Sequence, residues 1–242
     1  LTLYEHGKPL DLTNDTDKLR YLGHAFRKDE IVAVKGVGGF HLFCNTEKKT
    51  VEKLDTLTGR RWKPYAILCR NIAMARSIAA LTPEEEQVLL SPERPIVLAY
   101  KNAQSPDASE LDTIGIMLAS TALHILLFEH FPHPLICTSS NLMHAPLTID
   151  QTEQFVPLVL DHDRRIAQAA DDSVLEVINE KPLLIRRSRG FVPRSIAIDS
   201  TNESPLLALG AEMNNTFALY DGHGRITLSQ HIGNTTHPET FT

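Results

Sequence analysis

A lysine and a histidine enclose three glycines in the segment Lys35-Gly36-Val37-Gly38-Gly39-Phe40-His41, which directly follows the apolar run Ile31-Val32-Ala33-Val34. Glycine has no Cβ, so backbone N–H groups in such a segment can approach an anion closely, and the lysine adds a positive charge. The segment is not a Walker loop, because no Gly-Lys-Ser/Thr follows, and it is not G-x-G-x-x-G. It predicts either a phosphate-binding loop or an ordinary tight turn.

Two basic clusters lie beside predicted strands and could bind phosphate through guanidinium forks and ammonium charges. They consist of Arg60, Arg61 and Lys63, and of Arg186, Arg187 and Arg189. Residues two apart share one face of a strand, so we expect Arg187 and Arg189 to point together and Arg186 to point oppositely. The alternative for each cluster is a solvated charged face.

Small polar side chains follow a short apolar strand in the stretch Thr138-Ser139-Ser140-Asn141. Open α/β sheets bind ligands at such strand ends, although a turn with an asparagine cap explains the stretch equally well. Asp171 and Asp172 precede another strand and could either pair on a metal or balance the arginine charges. The histidines lack a metal-binding spacing, so we predict no metal site built by the protein.

The composition is that of an ordinary globular protein, with 242 residues, 42% hydrophobic residues and a formal net charge of −6. The acidic balance argues against a nucleic-acid partner, and no apolar run reaches the length of a membrane span. The three cysteines, without C-x-x-C spacing, suit a reducing compartment, so we expect a cytoplasmic protein without structural zinc.

Hydrophobic periodicity predicts an α/β chain. Helices are expected over 11–27, 46–57 with Thr46 as cap, 72–81, 83–90 with Thr82 as cap, 121–131 and 152–160. Strands are expected over 31–34, 41–44, 65–69, 95–100, 113–118, 134–137, 174–178 and 183–190. A polar linker at 199–205 precedes three antiparallel strands, over 206–212, 216–220 and 226–228, which are too few for a domain.

Taken together, the motifs K-G-V-G-G-F-H, R-R-W-K-P-Y-A, T-S-S-N, A-D-D-S-V and I-R-R-S-R-G-F-V-P resemble the YrdC-like domain of the HypF carbamoyltransferase family of [NiFe]-hydrogenase maturation. The resemblance runs from about residue 29 to residue 193. Residues 206–234, with L-G-A-E-x-x-N-T-F and L-S-Q-H-I-G, look like the first strands of the actin-like domain that follows in the same family.

This resemblance implies a fold and a division of the chain. The fold is a YrdC-like twisted mixed sheet with flanking helices around a basic nucleotide-binding hollow, followed by a truncated actin-like β segment. Residues 1–10 would be the end of an upstream zinc-binding region, 11–198 the YrdC-like domain, and 199–242 the linker and first strands of the actin-like domain. No zinc ligand is expected within the chain itself.

The resemblance also implies a reaction with ATP and Mg²⁺. Carbamate, released from carbamoyl phosphate, would be joined to ATP as carbamoyl-adenylate, and the carbamoyl group would pass to the C-terminal cysteine of a HypE-like acceptor protein. Catalytic charge would come from Lys35, Arg60 and Lys63. The nucleotide would be bound by Thr138, Ser139, Asn141, Ser173, Arg186 and Arg189, and the carbamate by Gly38, Gly39 and His41.

Some positions depart from the family pattern, and two other functions remain open. Thr58 occupies a position where the family has lysine, Met143-His144 replaces its usual Ser-Gly, and Asn214 replaces a common lysine. One alternative is a threonylcarbamoyl-adenylate synthase of tRNA modification, which shares the fold. The other is a non-catalytic module that binds nucleotide or RNA.

Overall fold

The computed structural model of this chain describes residues 1–59, 64–142, 147–212, 215–230, 232 and 235. Within these ranges the chain is mixed α/β, as the sequence predicts. None of the helices found there is both long and apolar enough to cross a membrane.

Five α-helices lie in the described part of the chain. They are α1 (Asp15–Arg27), α2 (Lys48–Thr58), α3 (Ile72–Ile78), α4 (Pro83–Leu90) and α5 (Ala122–His130). Side-chain oxygens of Asn14, Asn71, Thr82 and Thr121 cap four of them, and Thr82 forms a reciprocal capping box with Glu85. Helix α2 instead begins after Glu47 with no side-chain cap, so the cap predicted at Thr46 is wrong.

Helices α1 to α4 are interspersed among the first seven strands. They are β1 (Thr2–Glu5), β2 (Lys8–Pro9), β3 (Val32–Lys35), β4 (Phe40–Cys44), β5 (Ala66–Cys69), β6 (Ala79–Ala80) and β7 (Ile96–Lys101). The remaining strands are β8 (Thr113–Leu118), β9 (Leu135–Ser139), β10 (Leu158–Asp161), β11 (Val174–Ile178), β12 (Lys181–Arg186), β13 (Ile196–Ala197), β14 (Leu206–Leu209), β15 (Phe217–Tyr220) and β16 (Arg225–Leu228).

Twelve of the strands in the described ranges form one twisted mixed sheet. Its order is β12-β11-β7-β8-β5-β9-β4-β3-β10-β1-β2, with β6 paired to β7. The pairs β3–β10, β5–β8 and β7–β11 are parallel and the other neighbours are antiparallel. The antiparallel hairpin β3–β4 lies inside the sheet, between β9 and β10.

Each face of this sheet is covered by its own apolar cluster. Alternate residues of β4 divide between them, because Phe40 and Leu42 belong to the cluster that includes α2, α3 and α4 residues, whereas Phe43 packs with Phe26 and Phe128 of α1 and α5. All five side chains are at most 1% exposed. The hairpin that carries the glycine segment is therefore held firmly from both sides.

The predicted helix over 152–160 is wrong. A short 3-10 helix covers Gln151–Glu153, and Leu158–Asp161 forms strand β10 between β1 and β3. Pro157 lacks the N–H that a helix interior needs, and the apolar run Leu158-Val159-Leu160 is buried on both faces of the sheet.

The first strands and the last strands of the chain belong to different sheets. Strands β1 and β2 extend the large sheet through the pairing of β1 with β10, so the first ten residues pack with the main body. The last strands form a separate four-stranded sheet in the order β13-β16-β15-β14, with antiparallel pairs as the sequence predicts for residues 206–228.

Candidate functional site

The glycine segment forms the turn of the β3–β4 hairpin, in which Lys35 pairs opposite Phe40. Within the turn the Gly36 N–H donates to the Gly39 carbonyl at 2.8 Å. A Cβ added to Gly36 would lie 2.8 Å from that same oxygen, which is closer than real Cβ atoms approach. The tight-turn interpretation therefore accounts for Gly36 without any ligand.

Two later parts of the chain pack against this turn. The Ala170 N–H donates to the Gly38 carbonyl at 2.9 Å, and a Cβ on Gly38 would clash with the Ala170 carbonyl. A Cβ on Gly39 would clash with the Leu147 side chain. The chain itself thus fills the space beside these glycines, and distant segments fix the shape of the turn.

Lys35 lies at the end of β3 with two oxygen partners. Its Nζ is 2.9 Å from Asp161 Oδ1 and donates to the His162 carbonyl at 2.9 Å, and its side chain is 12% exposed. The sequence prediction missed both partners. The charge of Lys35 is already balanced by a carboxylate on the neighbouring parallel strand, so an anionic ligand would compete with Asp161 for it.

His41, Arg186 and Arg189 converge on one buried residue, Asp172. His41 Nε2 is 3.1 Å from Asp172 Oδ2, and Arg189 Nε donates to Asp172 Oδ1 at 2.6 Å. Arg186 Nε donates to the Asp172 backbone carbonyl at 2.8 Å, and its NH1 is 3.9 Å from Asp171 Oδ1. The structure therefore brings His41, predicted to bind carbamate, together with Arg186 and Arg189, predicted to bind the nucleotide.

This arrangement corrects the predicted arginine orientations. Strand β12 ends at Arg186, so two-residue alternation does not extend to Arg189. Arg186 and Arg189 share Asp172 as a partner, whereas Arg187 donates from NH2 to the Arg194 carbonyl at 2.6 Å.

The surroundings of Asp172 keep it ionised. Burial alone would raise the pKa of its carboxyl, but the hydrogen bond and charge of His41, with the charge of Arg189, outweigh burial and hold the pKa well below its ordinary value. His124 lies nearby, with its ring 5.8 Å from that of Phe43, and burial lowers the pKa of His124 to about 4. Its imidazole is therefore neutral at pH 7.

The polar stretch Thr138-Ser139-Ser140-Asn141 begins within β9 and is partly built into the fold. Thr138 is 7% exposed, and Ser139 pairs in register with His41 on the adjacent strand. Ser140 is fully buried and donates from Oγ to Gln154 Oε1 at 2.5 Å. Asn141 directly follows, and the Ser140 N–H donates to the Phe40 carbonyl at 2.8 Å, so the stretch lies beside the glycine hairpin.

Ser173 connects the backbone around Arg189. Its hydroxyl accepts from the Ser188 N–H at 2.8 Å and donates to the Arg189 carbonyl at 2.9 Å, and the residue is fully buried. The predicted nucleotide contact of Ser173 would therefore have to compete with two hydrogen bonds that it already makes.

Several predicted positions lie outside the described residues. They are Arg60, Arg61, Lys63, Met143, His144 and Asn214. Thr58, where the family has lysine, is fully buried at the end of α2 and donates to the Leu54 carbonyl at 2.8 Å.

The described residues do not fit a protein-built Mg²⁺ site. No group of three or more His, Cys, Asp or Glu side chains in the described ranges could hold a metal ion. Asp172 is occupied by His41 and Arg189, and Asp161 by Lys35. The pair Asp171-Asp172 thus balances arginine charge.

A cavity of about 490 Å³ separates the end of β12 from the smaller sheet. Arg186 and Arg187 line it on one side, and Thr216 and Ser229 on the other. Lys35 is not among its described lining residues. The structure therefore places Arg186 at a cavity but gives Lys35 and Arg186 different partners.

Comparison with known proteins relates this architecture to a family. Residues 24–188 match the family model Sua5_yciO_yrdC, which carries the description telomere recombination. The chain belongs to the Sua5/YciO/YrdC family. Further along the chain, residues 201–242 match the HypF Kae1-like domain.

HypF proteins are similar to this chain over 84–99% of its length. The carbamoyltransferase HypF of Rhizobium leguminosarum bv. viciae is 39% identical over 220 residues, covering 84% of this chain and 29% of the relative. The T. kodakarensis HypF structure superposes with TM-score 0.90 at 36% identity, covering 99% of this chain and 32% of that one. A full-length HypF in the phosphate- and nucleotide-bound form gives TM-score 0.89 at 31% identity, over 96% of this chain and 32% of that one.

These matches confirm the resemblance to HypF proteins that the motifs predicted. The chain spans about 30% of the length of the curated relatives it matches. Family members outside HypF are more distant, since a P. abyssi Sua5 structure is 19% identical with TM-score 0.65 over 73% of this chain and 56% of that one, and supports the fold alone.

Proposed function

We propose that this chain carries the carbamoyl-adenylate-forming part of a HypF-type carbamoyltransferase. The observation that carries the proposal is the match to a HypF Kae1-like domain following the Sua5/YciO/YrdC match along the chain, together with 31–39% identity to HypF relatives. ATP as substrate is supported by the nucleotide-bound form of one HypF neighbour.

The proposed step is attack by a carbamate oxygen on the α-phosphorus of ATP. One P–O bond forms, the bond between the α-phosphorus and the bridging oxygen breaks, and pyrophosphate leaves with the electron pair. Carbamate is already an anion, so the attack needs no general base. The protein must therefore neutralise phosphate charge and hold the two reactants in line.

The residues around Asp172 suit this task in different ways. Arg186 lines the cavity and keeps a guanidinium edge beyond its bond to the Asp172 backbone, so it is the described cation best placed for phosphate. Arg189 is held by Asp172 beside it. Lys35 would bind phosphate in exchange for Asp161, and Arg60 and Lys63 would add charge to the same anion.

The remaining predicted residues would contact the nucleotide and the carbamate. Thr138, Ser139 and Asn141 end the strand beside the hairpin and would bind phosphate and ribose. Ser173 would act through the Arg189 backbone that it already holds. Gly38, Gly39 and His41 would border the carbamate, because the hairpin turn and the Asp172 cluster meet there.

We propose that the parts of the chain have the separate roles that the sequence predicts. Residues 11–198 would form the adenylate, and 199–242 would begin the domain that passes the carbamoyl group to a HypE-like acceptor. Residues 1–10 would connect the adenylate-forming domain to a preceding zinc-binding region, and Mg²⁺ would be carried by the ATP phosphates. The protein would act in the cytoplasm.

The test is pyrophosphate release from ATP by the purified chain with carbamate present. We expect release that depends on carbamate, and an Arg186→Met variant should lose about 10- to 100-fold in ATP affinity because one charge-assisted contact is removed. Arg20→Met is the matched control, since Arg20 is 57% exposed and pairs only with Asp17 on the surface of α1 among the described residues. No ATP binding together with no release would refute the proposal.

The two alternatives give different results in the same assay. Threonine-dependent release with bicarbonate would favour a threonylcarbamoyl-adenylate synthase. Salt-dependent binding of a short RNA without adenylate would favour a binding module. The identities of 31–39% to HypF proteins, against 19% to Sua5, support the HypF-type reaction.

A further inference from the structure

Arg187 has no carboxylate partner in the described part of the chain. Its NH2 donates to the Arg194 carbonyl at 2.6 Å, and its NH1 is buried with no hydrogen-bond partner among the described residues. Burial, and after it the charge of Arg194, lowers the pKa of Arg187. The neighbouring arginines each lie within 3.9 Å of a carboxylate, in the pairs Arg186–Asp171, Arg189–Asp172 and Arg194–Glu93. A half-buried guanidinium without a counter-charge is costly, so its retention needs an explanation.

Arg187 lines the cavity of about 490 Å³ between the end of β12 and the smaller sheet. The cavity is positively charged, because Arg186 lines it as well and no Asp or Glu is among its described lining residues. The other described lining residues are aliphatic or carry hydroxyls, namely Val174, Leu184, Ile185, Leu228, Thr216 and Ser229. An anion in this cavity would supply the counter-charge that Arg187 lacks.

Two hydroxyl residues line the cavity on the side of the smaller sheet. The Ser229 hydroxyl is used within that sheet, because it accepts from the Phe217 N–H at 2.9 Å and donates to the Gln230 carbonyl at 2.8 Å. The Thr216 hydroxyl has no hydrogen-bond partner within the described ranges. Thr216 is therefore the hydroxyl of this wall that can donate to a ligand.

We infer that this cavity binds a phosphoryl group, with the Arg187 guanidinium as its cation and the Thr216 hydroxyl as a second donor. A phosphoryl group suits the cavity better than a carboxylate, because its tetrahedral oxygens can accept from both walls and it carries about −1.5 to −2 charges at pH 7. The cavity has the size of a small-molecule site, so the group belongs either to free phosphate or to a phosphorylated compound such as a nucleotide. The inference is independent of adenylate formation, in which Arg187 has no proposed role.

Calorimetric titration of the purified chain with inorganic phosphate, AMP and acetate tests the site. Phosphate should bind to the wild-type chain more tightly than acetate does. Arg187→Met should weaken phosphate binding about 10- to 100-fold, because a charge-assisted contact is lost. Arg20→Met is the matched control, since Arg20 is 57% exposed on the surface of α1, and it should bind phosphate as the wild-type chain does.

Thr216→Val tests the opposite wall of the cavity and does not depend on the folding of the arginine variant. Valine keeps the shape of threonine, and the loss of one hydrogen bond should weaken phosphate binding about 3- to 10-fold. Thr216→Ser retains the hydroxyl and should stay within about twofold of the wild-type affinity. Circular dichroism checks that each variant is folded.

The AMP titration identifies the source of the phosphoryl group. Tighter binding of AMP than of phosphate, with the same loss in Arg187→Met, assigns the site to a nucleotide, and otherwise the ligand is free phosphate. This binding experiment needs no turnover, so absence of pyrophosphate release would refute the proposed function and leave the phosphate site standing.

Four results would overturn the inference. They are acetate binding as tight as phosphate binding, no binding of phosphate or AMP at about 10 mM, and phosphate binding that is unchanged in either Arg187→Met or Thr216→Val. The fourth is loss of phosphate binding in Arg186→Met with full binding in Arg187→Met, because the phosphate would then lie at the cation proposed for ATP.

Discussion

Replacing Gly36 by alanine tests whether packing inside the hairpin turn, and not ligand approach alone, requires glycine there. The new Cβ would lie 2.8 Å from the Gly39 carbonyl oxygen and 2.9 Å from His41 Nδ1. Real Cβ contacts essentially never fall below 3.0 Å, so the turn and the imidazole must both shift. The turn hydrogen bond from Gly36 to Gly39, now 2.8 Å, would be strained by the same movement.

The expected cost combines overpacking with that weakened hydrogen bond. Overpacking costs about 1–3 kcal/mol and a net hydrogen bond about 1 kcal/mol, so we expect the free energy of unfolding to fall by about 2–4 kcal/mol. In a domain of this size that lowers Tm by about 4–16 °C. Thermal unfolding followed by circular dichroism measures the shift, and the His41 ¹⁵N signals should move in the same variant.

Gly7→Ala is the matched control for this variant. Gly7 has a φ of +74° and no atom within 4 Å of an added Cβ, so alanine there costs only backbone strain of about 1–2 kcal/mol. It should leave the His41 signals unchanged. A Gly36→Ala chain that melts within 2 °C of wild type and keeps its His41 spectrum would refute the packing argument.

Three further predictions concern charges and thiols. Burial lowers the folded-state pKa of His124 from 6.5 to about 4, so the unfolded chain binds a proton at His124 more readily than the folded chain does. The stability that neutral His124 contributes is full above pH 6.5 and is lost as the pH falls to 4. In urea unfolding the wild-type chain should therefore lose about 3 kcal/mol more over this pH range than His124→Gln does. Lys35→Met should weaken ATP binding about 10- to 100-fold in calorimetry. Asp161→Asn removes the competing carboxylate 2.9 Å from the Lys35 ammonium and should not weaken ATP binding. Equal losses of ATP affinity in the two variants would show that the ion pair acts only on stability. Burial raises the pKa of the Cys44 and Cys137 thiols and that of Cys69 to about 12, so a thiol reagent at pH 8 should label the three cysteines only after unfolding, and rapid labelling of the folded chain would contradict their burial.

The sequence predicted the elements whose signals are local. Thr82 with Glu85 three residues later marked the start of α4, and the structure has both halves of that capping box. The apolar runs before and after the glycine segment became β3 and β4. Antiparallel pairing of β15 with β16 followed from short apolar runs separated by the Asp221–Gly224 turn.

The sequence predictions were wrong where the packing of the folded chain determines the local structure. Leu158-Val159-Leu160 is apolar throughout, so period alone could not separate a buried strand from a helix; only Pro157 argued against the helix. The arginine orientations failed because the end of β12 at Arg186 could not be located within one or two residues.

The site itself was predicted by residue type more than by partner. His41, Arg186 and Arg189 were all named as candidate site residues, but opposite directions were predicted for the two arginines. Their common partner Asp172 was one of two adjacent aspartates with no signal to distinguish them. Asp161 opposes Lys35 because β10 runs parallel to β3, a pairing between residues more than a hundred positions apart. Sequence spacing carries no information about such contacts.

The separation of 131 residues between His41 and Asp172 has a consequence for biosynthesis. A ribosome that adds about 5–20 residues per second needs roughly 7 to 26 seconds to add Asp172 after it has added His41. During that interval the nascent hairpin lacks both Ala170, which bonds to Gly38, and the Asp172 carboxylate, which contacts His41. A ribosome that stalls before residue 170 would therefore leave a chain whose early strands are present but whose glycine turn and buried histidine have neither partner.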